Sequence, residues 1–446
     1  TRSSMASNDA LARARSKLKA NKLTQVTKED GTTFQINIYD AAAPPKNKMK
    51  KAPPAYLEAR QPPKYVEVPR FNFSDEKERT AGLAYLEENG YVVAKGVLND
   101  KEVEKAKSLF WDFIEGIPNR YELSEKTKAE WPHRGKASTW SKKFPGNQGN
   151  GIINKQGAGQ APFAWFCRSR DKVAEVFSAV WETSDLIVSF DGFNAFRPWK
   201  INPSWRTKGG WYHVDQNSIH KPGKTCVQGL LSMYDVNKTT GGLTVIPGSH
   251  KEFLECGKRI ENITNMGDFV PIPRSDPILE KDAIIVTCEA GDLCLWDSRT
   301  IHCNTPAPMV LNEKEKKNEK KKKKKKGEDS GESGGKAASS AEEKGIMEEK
   351  GEECDDSSQK EEKGGGDFDE LLRMVCYICM TPASKASTQV IEQRRKAVKA
   401  GITTNHWPHE FSGGSFSDAS TPGFKDNCER YIKQSLIDGG AAPSKK

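Results

Sequence analysis

Three residues that can bind one metal ion constrain this chain most: His213, Asp215 and, 87 residues after the aspartate, His302. His213 and Asp215 end the strand-like run Gly209–Asp215, and side chains two positions apart on a strand point to the same face. His302 ends a second strand-like run that begins at Asp292. If the two strands are neighbours in a curled sheet, two imidazoles and one carboxylate meet on one side of an ion. This set leaves the other side open and is typical of mononuclear iron sites.

A His-x-Asp pair alone is weak evidence, because a histidine on a strand is more often a core or surface residue than a ligand. The surrounding sequence strengthens it with further strands and turns. These are Glu88–Leu98, Cys226–Val236, Thr240–His250, Gly291–Asp297 before His302, and the apolar strand Leu371–Met380 with Arg373. In this order, the motifs resemble the phytanoyl-CoA dioxygenase family of iron(II)/2-oxoglutarate oxygenases. The resemblance covers residues from about 80 to 385, apart from one insertion.

The resemblance implies a mainly β fold with flanking helices, a double-stranded β-helix of the jelly-roll, cupin-like barrel type. It implies that His213, Asp215 and His302 bind Fe(II), and that Arg373, with Asn304 as a second candidate, binds 2-oxoglutarate. With O2 as the other cosubstrate and ascorbate as a candidate reductant, such enzymes release succinate and CO2. Asp215 favours hydroxylation or desaturation of the substrate over halogenation. The metal supplies the chemistry, so no catalytic residue beyond its ligands is expected.

Arg373 is the only charged residue in the strand Leu371–Met380, and it shares a face with Val375, Tyr377 and Cys379. A guanidinium among core side chains is costly unless an acceptor pairs with it. In the family, the arginine of this strand holds the far carboxylate of 2-oxoglutarate in a two-pronged contact that lysine reproduces poorly. An ion pair with an internal acid is the alternative.

Two nearby polar residues have competing interpretations. Arg299 is a rival cosubstrate ligand, but it lies three residues before His302, and we expect it to pair with Asp297 or another local acid. Asn304 is two positions after His302, so it can reach a cosubstrate carboxylate or, equally, cap a turn before Pro306.

Hydrophobic residues make up 35% of the chain, and the shortage is concentrated in two segments. Residues 1–63 are basic and proline-rich, which predicts a mostly disordered lead-in. Residues 312–366 form a charged insertion, lysine-rich up to Lys326 and then acidic, which predicts disorder. Residues 64–311 and 367–446 then form a single oxygenase domain. The insertion lies between the strands of His302 and Arg373, and a hairpin joining these strands would tolerate it.

The insertion's lysines can also be interpreted as a nuclear-localisation or nucleic-acid patch. We favour a solvated spacer, since its acidic half outweighs its basic half, and its binding partner is unknown. The chain has a net charge of +9, but the predicted folded part is only mildly basic. Its charge therefore does not require a nucleic-acid substrate. Neither an apolar secretory signal nor a run long enough to span a membrane is visible. Scattered cysteines predict a reducing compartment, the cytoplasm, with nuclear or organellar locations open.

Other segments complete the predicted domain. Helices are predicted over Glu102–Ile114, with Asp100 as its cap, over Asp171–Thr183, and over Val390–Ala400, ended by Gly401. Asn194 and Phe196 are candidates for the substrate pocket, although an ordinary sheet face fits them as well. Cys376 and Cys379 point to opposite faces of one strand, so we interpret them as core. Thr403–His409 is interpreted as a loop or lid.

The sequence predicts a dioxygenase that acts on a small molecule, such as a lipid or a secondary metabolite. A cupin-like metal-binding protein without oxygenase activity, an isomerase or a binding module, is the alternative, because one fold can host many functions. Arg373 favours the oxygenase, since neither alternative needs a buried guanidinium near the metal.

Overall fold

The computed structural model describes residues 23–27, 33–37, 62–140, 143–306, 369–411 and 431–440. It divides into two compact units, residues 1–62 with 412–415 and residues 63–411 with 416–446. In the first unit, β1 (Leu23–Thr27) and β2 (Thr33–Asn37) form an antiparallel hairpin. The rest of residues 1–61 and the whole 312–366 insertion lie outside the described residues, so their predicted disorder and the domain boundaries stay predictions.

The second unit contains two sheets. The larger has, in spatial order, β4 (Arg70–Phe71), β5 (Tyr91–Ala94), β14 (Leu293–Asp297), β10 (Val227–Ser232), β16 (Arg373–Pro382), β8 (Phe193–Phe196) and β6 (Ile152–Ile153), and β7 (Leu186–Val188) pairs with the end of β16. The smaller has β12 (Val270–Pro271), β9 (His213–Val214), β15 (His302–Pro306), β11 (Gly241–Val245), β13 (Ile284–Val286) and β3 (Lys64–Val66).

Along the chain, β8, β10, β14 and β16 of the larger sheet are interleaved with β9, β11, β13 and β15 of the smaller sheet. Neighbours among these eight strands are antiparallel. This succession is the double-stranded β-helix, so the predicted fold class is confirmed. The described strands form two facing sheets, however, and not one continuous closed barrel.

The connection across the insertion differs from the prediction. β15 belongs to the smaller sheet and β16 to the larger one, so no hairpin joins the strands of His302 and Arg373. The chain crosses between the sheets at this point. The sequence could not show this, because the pattern of each strand is the same whether its chain neighbour is also its sheet neighbour.

Alternation along the central strands separates two hydrophobic layers. On β10, Val227 and Leu231 pack with the helices, whereas Leu230 packs against the smaller sheet. Because both faces of this strand are covered, its sequence is an almost continuous apolar run rather than an alternating one. A slip of one residue would exchange the two faces, so the register that positions the site is strongly fixed.

The helices are α1 (Glu76–Asn89), α2 (Asp100–Arg120), α3 (Glu125–Ala129), α4 (Pro162–Arg168), α5 (Asp171–Trp181), α6 (Phe253–Lys258), α7 (Thr388–Ala400) and α8 (Ser435–Asp438). Short 3-10 turns span Ala137–Thr139, Ala158–Gln160, Pro203–Trp205, Ser249–Glu252, Ile263–Asn265, Pro277–Glu280 and Ala383–Lys385. Among the described helices, none has the length and apolar character needed to cross a bilayer.

The three predicted helices are present as α2, α5 and α7, and Gly401 ends α7 in the left-handed conformation, as expected. The cap of α2 was predicted wrongly. Asn99 caps it in a reciprocal arrangement with Glu102, and Asp100 is the first helical residue. Both residues are good caps, and the backbone places Asn99 one position outside the helix.

Candidate metal centre

The register between β9 and β15 brings the predicted ligands together. His302 is the direct partner of His213, and their ring centroids are 4.3 Å apart. Asp215 follows β9, where its amide donates to the carbonyl of Ser298. The Asp215 carboxylate oxygens lie 3.4 Å from Nε2 of His213 and 3.2 Å from Nε2 of His302. The three potential ligand atoms are all within 4.8 Å of one another, so one ion can contact all of them.

Hydrogen bonds on the other side of each ring orient the imidazoles. Nδ1 of His213 is 3.1 Å from the carbonyl of Trp211, and Nδ1 of His302 is 2.9 Å from that of Thr300. A carbonyl only accepts, so each Nδ1 is the protonated nitrogen and donates. Each Nε2 therefore directs a lone pair toward Asp215, the tautomer that binds a metal.

The electrostatics disfavour an imidazolium at His213 and favour an ionised carboxylate at Asp215. Burial and the neighbouring His302 lower the pKa of His213, so its ring is neutral near pH 7. Burial opposes ionisation of Asp215, but protons that His213 and His302 direct at it in the metal-free site outweigh burial and hold the pKa of this carboxyl well below its usual range; a bound divalent cation would replace those protons. Two imidazoles and an ionised carboxylate are a donor set that fits a divalent cation such as Fe(II).

Residues that the sequence did not single out support the ligands. Gln228 donates from Nε2 to the Asp215 carboxylate at 2.9 Å. The Trp211 ring stacks on His213 at 4.8 Å and 8°, and Phe269 lies 4.6 Å from the same imidazole. The sequence offers a clue to Gln228, because it is a lone amide side chain in the apolar run Cys226–Val236. The sequence offers no clue to Phe269, because only the folding of the chain brings it next to His213.

Arg373 lies in the interior with only 1% of its surface exposed. Its Nη1 donates to the amide oxygen of Asn194 at 2.7 Å, and its guanidinium is 5.0 Å from the Phe196 ring centre. Within the described residues, no carboxylate pairs with it, and its Nε and Nη2 have no hydrogen-bond partner. The predicted alternative, an ion pair with an internal acid, is therefore not found among these residues. A buried guanidinium with two free nitrogens fits an incoming carboxylate.

The neighbouring polar residues take clear positions. Asn304 is within β15, where its amide donates to the Tyr377 hydroxyl at 3.3 Å, so its predicted alternative of capping a turn is wrong. Burial lowers the pKa of Arg373, and the neighbouring Tyr377 opposes this shift only in part. Arg299 pairs with Asp297 through two hydrogen bonds, as expected, and is not directed at a cosubstrate.

The segment Thr403–His409 is a loop, as predicted, and packs beside the ligands. Nε2 of His406 is 3.2 Å from the backbone carbonyl of Asp215, and Trp407 is buried against Cys226 and Cys379. The guanidinium of Arg394 fixes the loop by donating to the carbonyl of Pro408. In the part of the chain that the structure describes, the loop histidines belong to no metal-binding group.

The sequence pattern of the phytanoyl-CoA dioxygenase (PhyH) family matches residues 86–306. "Ava biosynthesis cluster protein O" of Aspergillus versicolor is 30% identical over 217 residues, which are 46% of this chain and 67% of that protein. The chain belongs to the phytanoyl-CoA dioxygenase family. A "Putative phytanoyl-CoA dioxygenase" of Dictyostelium discoideum is 23% identical over 256 residues, 49% of this chain and 68% of that protein.

Solved structures with a similar fold include "the non-heme alpha ketoglutarate dependent epimerase SnoN from nogalamycin biosynthesis". It is 15% identical, with a TM-score of 0.33, and the alignment covers 53% of this chain and 79% of SnoN. EctD from S. alaskensis with bound Fe is 14% identical, with a TM-score of 0.34, and the alignment covers 55% of this chain and 76% of EctD.

The PhyH match confirms the family resemblance that the sequence motifs indicated. The matched region contains His213, Asp215, His302 and Asn304, whereas Arg373 lies beyond it. This phytanoyl-CoA dioxygenase family member is therefore an oxidoreductase of the dioxygenase class. The candidate ligands themselves are identified by the distances between His213, Asp215 and His302.

Proposed function

We propose that this family member is an Fe(II)/2-oxoglutarate-dependent dioxygenase that hydroxylates or desaturates a small organic molecule, such as a lipid or a secondary metabolite. Succinate and CO2 are the coproducts. One observation carries the proposal: a buried guanidinium with two unpaired nitrogens, that of Arg373, accompanies a group of two imidazoles and one carboxylate that can hold a metal ion. A site for a divalent metal and a site for a remote carboxylate are the two requirements for binding 2-oxoglutarate.

In this proposal, Nε2 of His213, Nε2 of His302 and the Asp215 carboxylate hold Fe(II). Bound iron would supply the redox chemistry that couples O2 to decarboxylation of 2-oxoglutarate and to oxidation of the substrate. Arg373 pairs with the far carboxylate of the cosubstrate, and the Asn304 amide and Tyr377 hydroxyl contribute hydrogen bonds beside it. Gln228 fixes the orientation of the Asp215 carboxylate by donating a hydrogen bond to it. The three ligands then stay on one side of the metal, and its other side is open to the cosubstrate.

The protein's remaining task is to exclude water and hold the substrate near the metal. Aromatic rings lie beside both imidazoles: the ring centre of Trp296 is 5.5 Å from that of His302, and Trp211 stacks on His213. Aromatic side chains beside the metal site suit an organic molecule, so we propose a small-molecule substrate and not a nucleic acid. The cysteines of the described residues are all unpaired and buried, in keeping with the proposed reducing compartment, the cytoplasm.

The test begins with purified protein, Fe(II), 2-oxoglutarate and ascorbate in air, with succinate as the readout. Slow release without substrate is expected, because these sites turn over cosubstrate uncoupled. In parallel, anaerobic addition of Fe(II) and then 2-oxoglutarate should produce a visible charge-transfer band. His302→Ala, which removes a ligand, should abolish both signals. Absence of succinate together with absence of the band in the wild-type protein would contradict the proposal.

The second candidate, a cupin-like metal-binding protein without oxygenase activity, is favoured by nothing beyond the ligand triad. It predicts that the protein binds divalent metal with unchanged affinity whether 2-oxoglutarate is present or not. Metal titrations with and without 2-oxoglutarate therefore separate the two candidates.

A further inference from the structure

Asn194 lies beside Arg373 in the larger sheet. On the paired strands β8 and β16, Asn194 is opposite Val375, and Phe196 is opposite Arg373. Opposite residues of an antiparallel pair, like residues two apart on one strand, point to the same face, so these side chains share one face. Nη1 of Arg373 donates to the Asn194 amide oxygen at 2.7 Å, and the Phe196 ring centre is 5.0 Å from the guanidinium. The guanidinium is therefore held by an amide and an aromatic ring.

This face of the larger sheet is the one directed at the candidate ligands. Cys379 shares the face of Arg373, because an even number of positions separates the two on β16. On the neighbouring strand β10, Cys379 is opposite Gln228, whose amide donates to the Asp215 carboxylate. Arg373 and its partner Asn194 thus lie on the same side of the sheet as the residue that supports a ligand.

Hydrogen bonds fix which way the Asn194 amide points. Its Nδ2 donates to the backbone carbonyl of Asn150 at 2.8 Å, so its oxygen is the atom directed at Arg373. The loop of Asn150 approaches β8 closely because the next residue is Gly151, which has a φ of +75°. A Cβ atom there would be 2.5 Å from the carbonyl oxygen of Ala195. The fully buried Asn194 amide uses one end to join this loop and the other to orient the guanidinium.

The Asn194 amide occupies one nitrogen of the guanidinium and leaves one edge free. Among the described residues, Nε and Nη2 of Arg373 have no hydrogen-bond partner. Three other arginines each use Nε and Nη2 to bind one carboxylate, in the pairs Arg70 with Asp292, Arg259 with Asp276 and Arg299 with Asp297. The free edge of Arg373 therefore has the geometry that binds a carboxylate elsewhere in this protein.

The partner that orients Arg373 is neutral. In the three pairs just named, an aspartate both orients and neutralises the arginine. Asn194 accepts a hydrogen bond from Arg373 without adding a negative charge, and the ring of Phe196 is also uncharged. A buried cation that is oriented but not neutralised favours an incoming anion, because its charge is costly until a counterion binds.

We propose that Asn194 is a positioning residue of the cosubstrate site, which presents the free edge of Arg373 to the far carboxylate of 2-oxoglutarate and leaves the arginine's charge available to it. This inference rests on the proposed oxygenase function and names a residue that sets the selectivity for a dicarboxylic cosubstrate. The rival explanation is that Asn194 only joins β8 to the loop of Asn150, as a packing residue.

Two 2-oxo acids of equal chain length test the inference. 2-Oxoglutarate and 2-oxopentanoate have the same metal-chelating end, but only 2-oxoglutarate has a far carboxylate. Titration of the charge-transfer band of the anaerobic Fe(II) protein gives both dissociation constants, and calorimetry with Zn(II) in place of iron repeats the measurement without redox chemistry. The wild-type protein should bind 2-oxoglutarate about a hundredfold more tightly than 2-oxopentanoate, because only the former pairs with Arg373.

Asn194→Asp supplies the negative charge that asparagine lacks. The new carboxylate should pair with Arg373 and repel the far carboxylate, so the two 2-oxo acids should bind about equally. Asn194→Leu has a similar size but no acceptor, and it should reduce the preference about tenfold. Neither variant should change the binding of 2-oxopentanoate. Asn89→Asp, the matched control, should keep the preference, since Asn89 also donates its amide to a backbone carbonyl, that of Tyr85, but at the end of α1.

A packing role predicts that the Asn194 variants weaken the binding of both 2-oxo acids equally. That result, or a preference that survives in Asn194→Asp, would overturn the inference while the proposed function stands. If Asn194→Leu does not fold, Asn194→Asp decides the question, because the loss of preference is measured between two ligands of the same protein. A wild-type protein that forms no band with 2-oxoglutarate would overturn the proposed function and this inference together.

Discussion

Arg373 and Gln228 contribute to the site in different ways. The guanidinium is buried with two unpaired nitrogens, so its free energy depends on a ligand that the chain does not provide. Gln228 already has its partner, the Asp215 carboxylate. Substitution of the first should therefore change cosubstrate binding, and substitution of the second should change metal binding.

For Arg373→Lys, we expect the dissociation constant of 2-oxoglutarate to rise by about ten- to a hundredfold. Lysine keeps the charge but replaces a planar two-pronged donor with a single point charge, and a charged hydrogen bond is worth about 1.5–3 kcal/mol. Titration of the anaerobic charge-transfer band measures the constant. Fe(II) affinity without cosubstrate should stay unchanged. An unaltered constant for 2-oxoglutarate would remove Arg373 from the cosubstrate site.

For Gln228→Leu, we expect Fe(II) to bind about ten- to a hundredfold more weakly, the usual cost of losing a partner that orients a metal ligand. Leucine has a similar size but cannot donate to Asp215. Ser232→Ala is the matched control, because Ser232 is on the same face of β10 and bonds to Tyr234 instead. Competition with a coloured chelator measures the affinity. Equal weakening in both variants would indicate a general loss of strand packing.

Among the elements, the loop Thr403–His409 connects the ligands to the outer layer. Arg394 of α7 donates to the carbonyls of Pro408, Val188, Leu436 and Ile437, and thereby joins the loop to β7 and α8. At the end of the loop, His409 is 91% buried, and its Nδ1 is 3.1 Å from the Thr381 hydroxyl. Because burial disfavours the imidazolium, stability should depend on pH through this residue.

Burial, together with nearby lysines, lowers the pKa of His409 to about 4 from the ordinary 6.5. Above pH 6.5 the ring is neutral whether the protein is folded or unfolded. Between pH 6.5 and about 4 only the unfolded chain takes up the proton, so stability is lost as the pH falls. The full loss is about 3 kcal/mol.

His409→Gln should therefore flatten the pH dependence of the free energy of unfolding between pH 6.5 and pH 4. Urea denaturation at several pH values measures it. His220→Gln is the control, because His220 is exposed. The assignment to His409 fails if the wild-type and His409→Gln slopes are the same.

On the scale of the whole molecule, the charged insertion is separable by composition from the jelly roll. The insertion lies in the sequence between β15 and β16, which belong to different sheets. The proposed ligands are in the described residues before and after it. The stability of the core should depend on the insertion only through the entropy of closing the connection, which varies slowly with its length.

Replacement of residues 312–366 by a Gly-Ser linker of about fifteen residues should preserve the fold and the charge-transfer band. The shorter connection is expected to stabilise the protein by about 1 kcal/mol. Thermal unfolding and the band in the two proteins measure this. Unfolding of the shortened protein, or loss of 2-oxoglutarate binding with the fold intact, would mean that the insertion contributes to the core or to the site.

The sequence by itself determined the family, the fold class and the candidate ligand set. The ligand types, the two-residue spacing of His213 and Asp215 and the lone charge of Arg373 are local facts, and strand periodicity is a local property. Only the tertiary structure decided which residues meet. The register of His302 with His213 and the bond from Gln228 to Asp215 depend on pairing between distant strands. A shift of one residue in that pairing would leave the sequence pattern unchanged, but it would turn every side chain of the strand to the opposite face of the sheet.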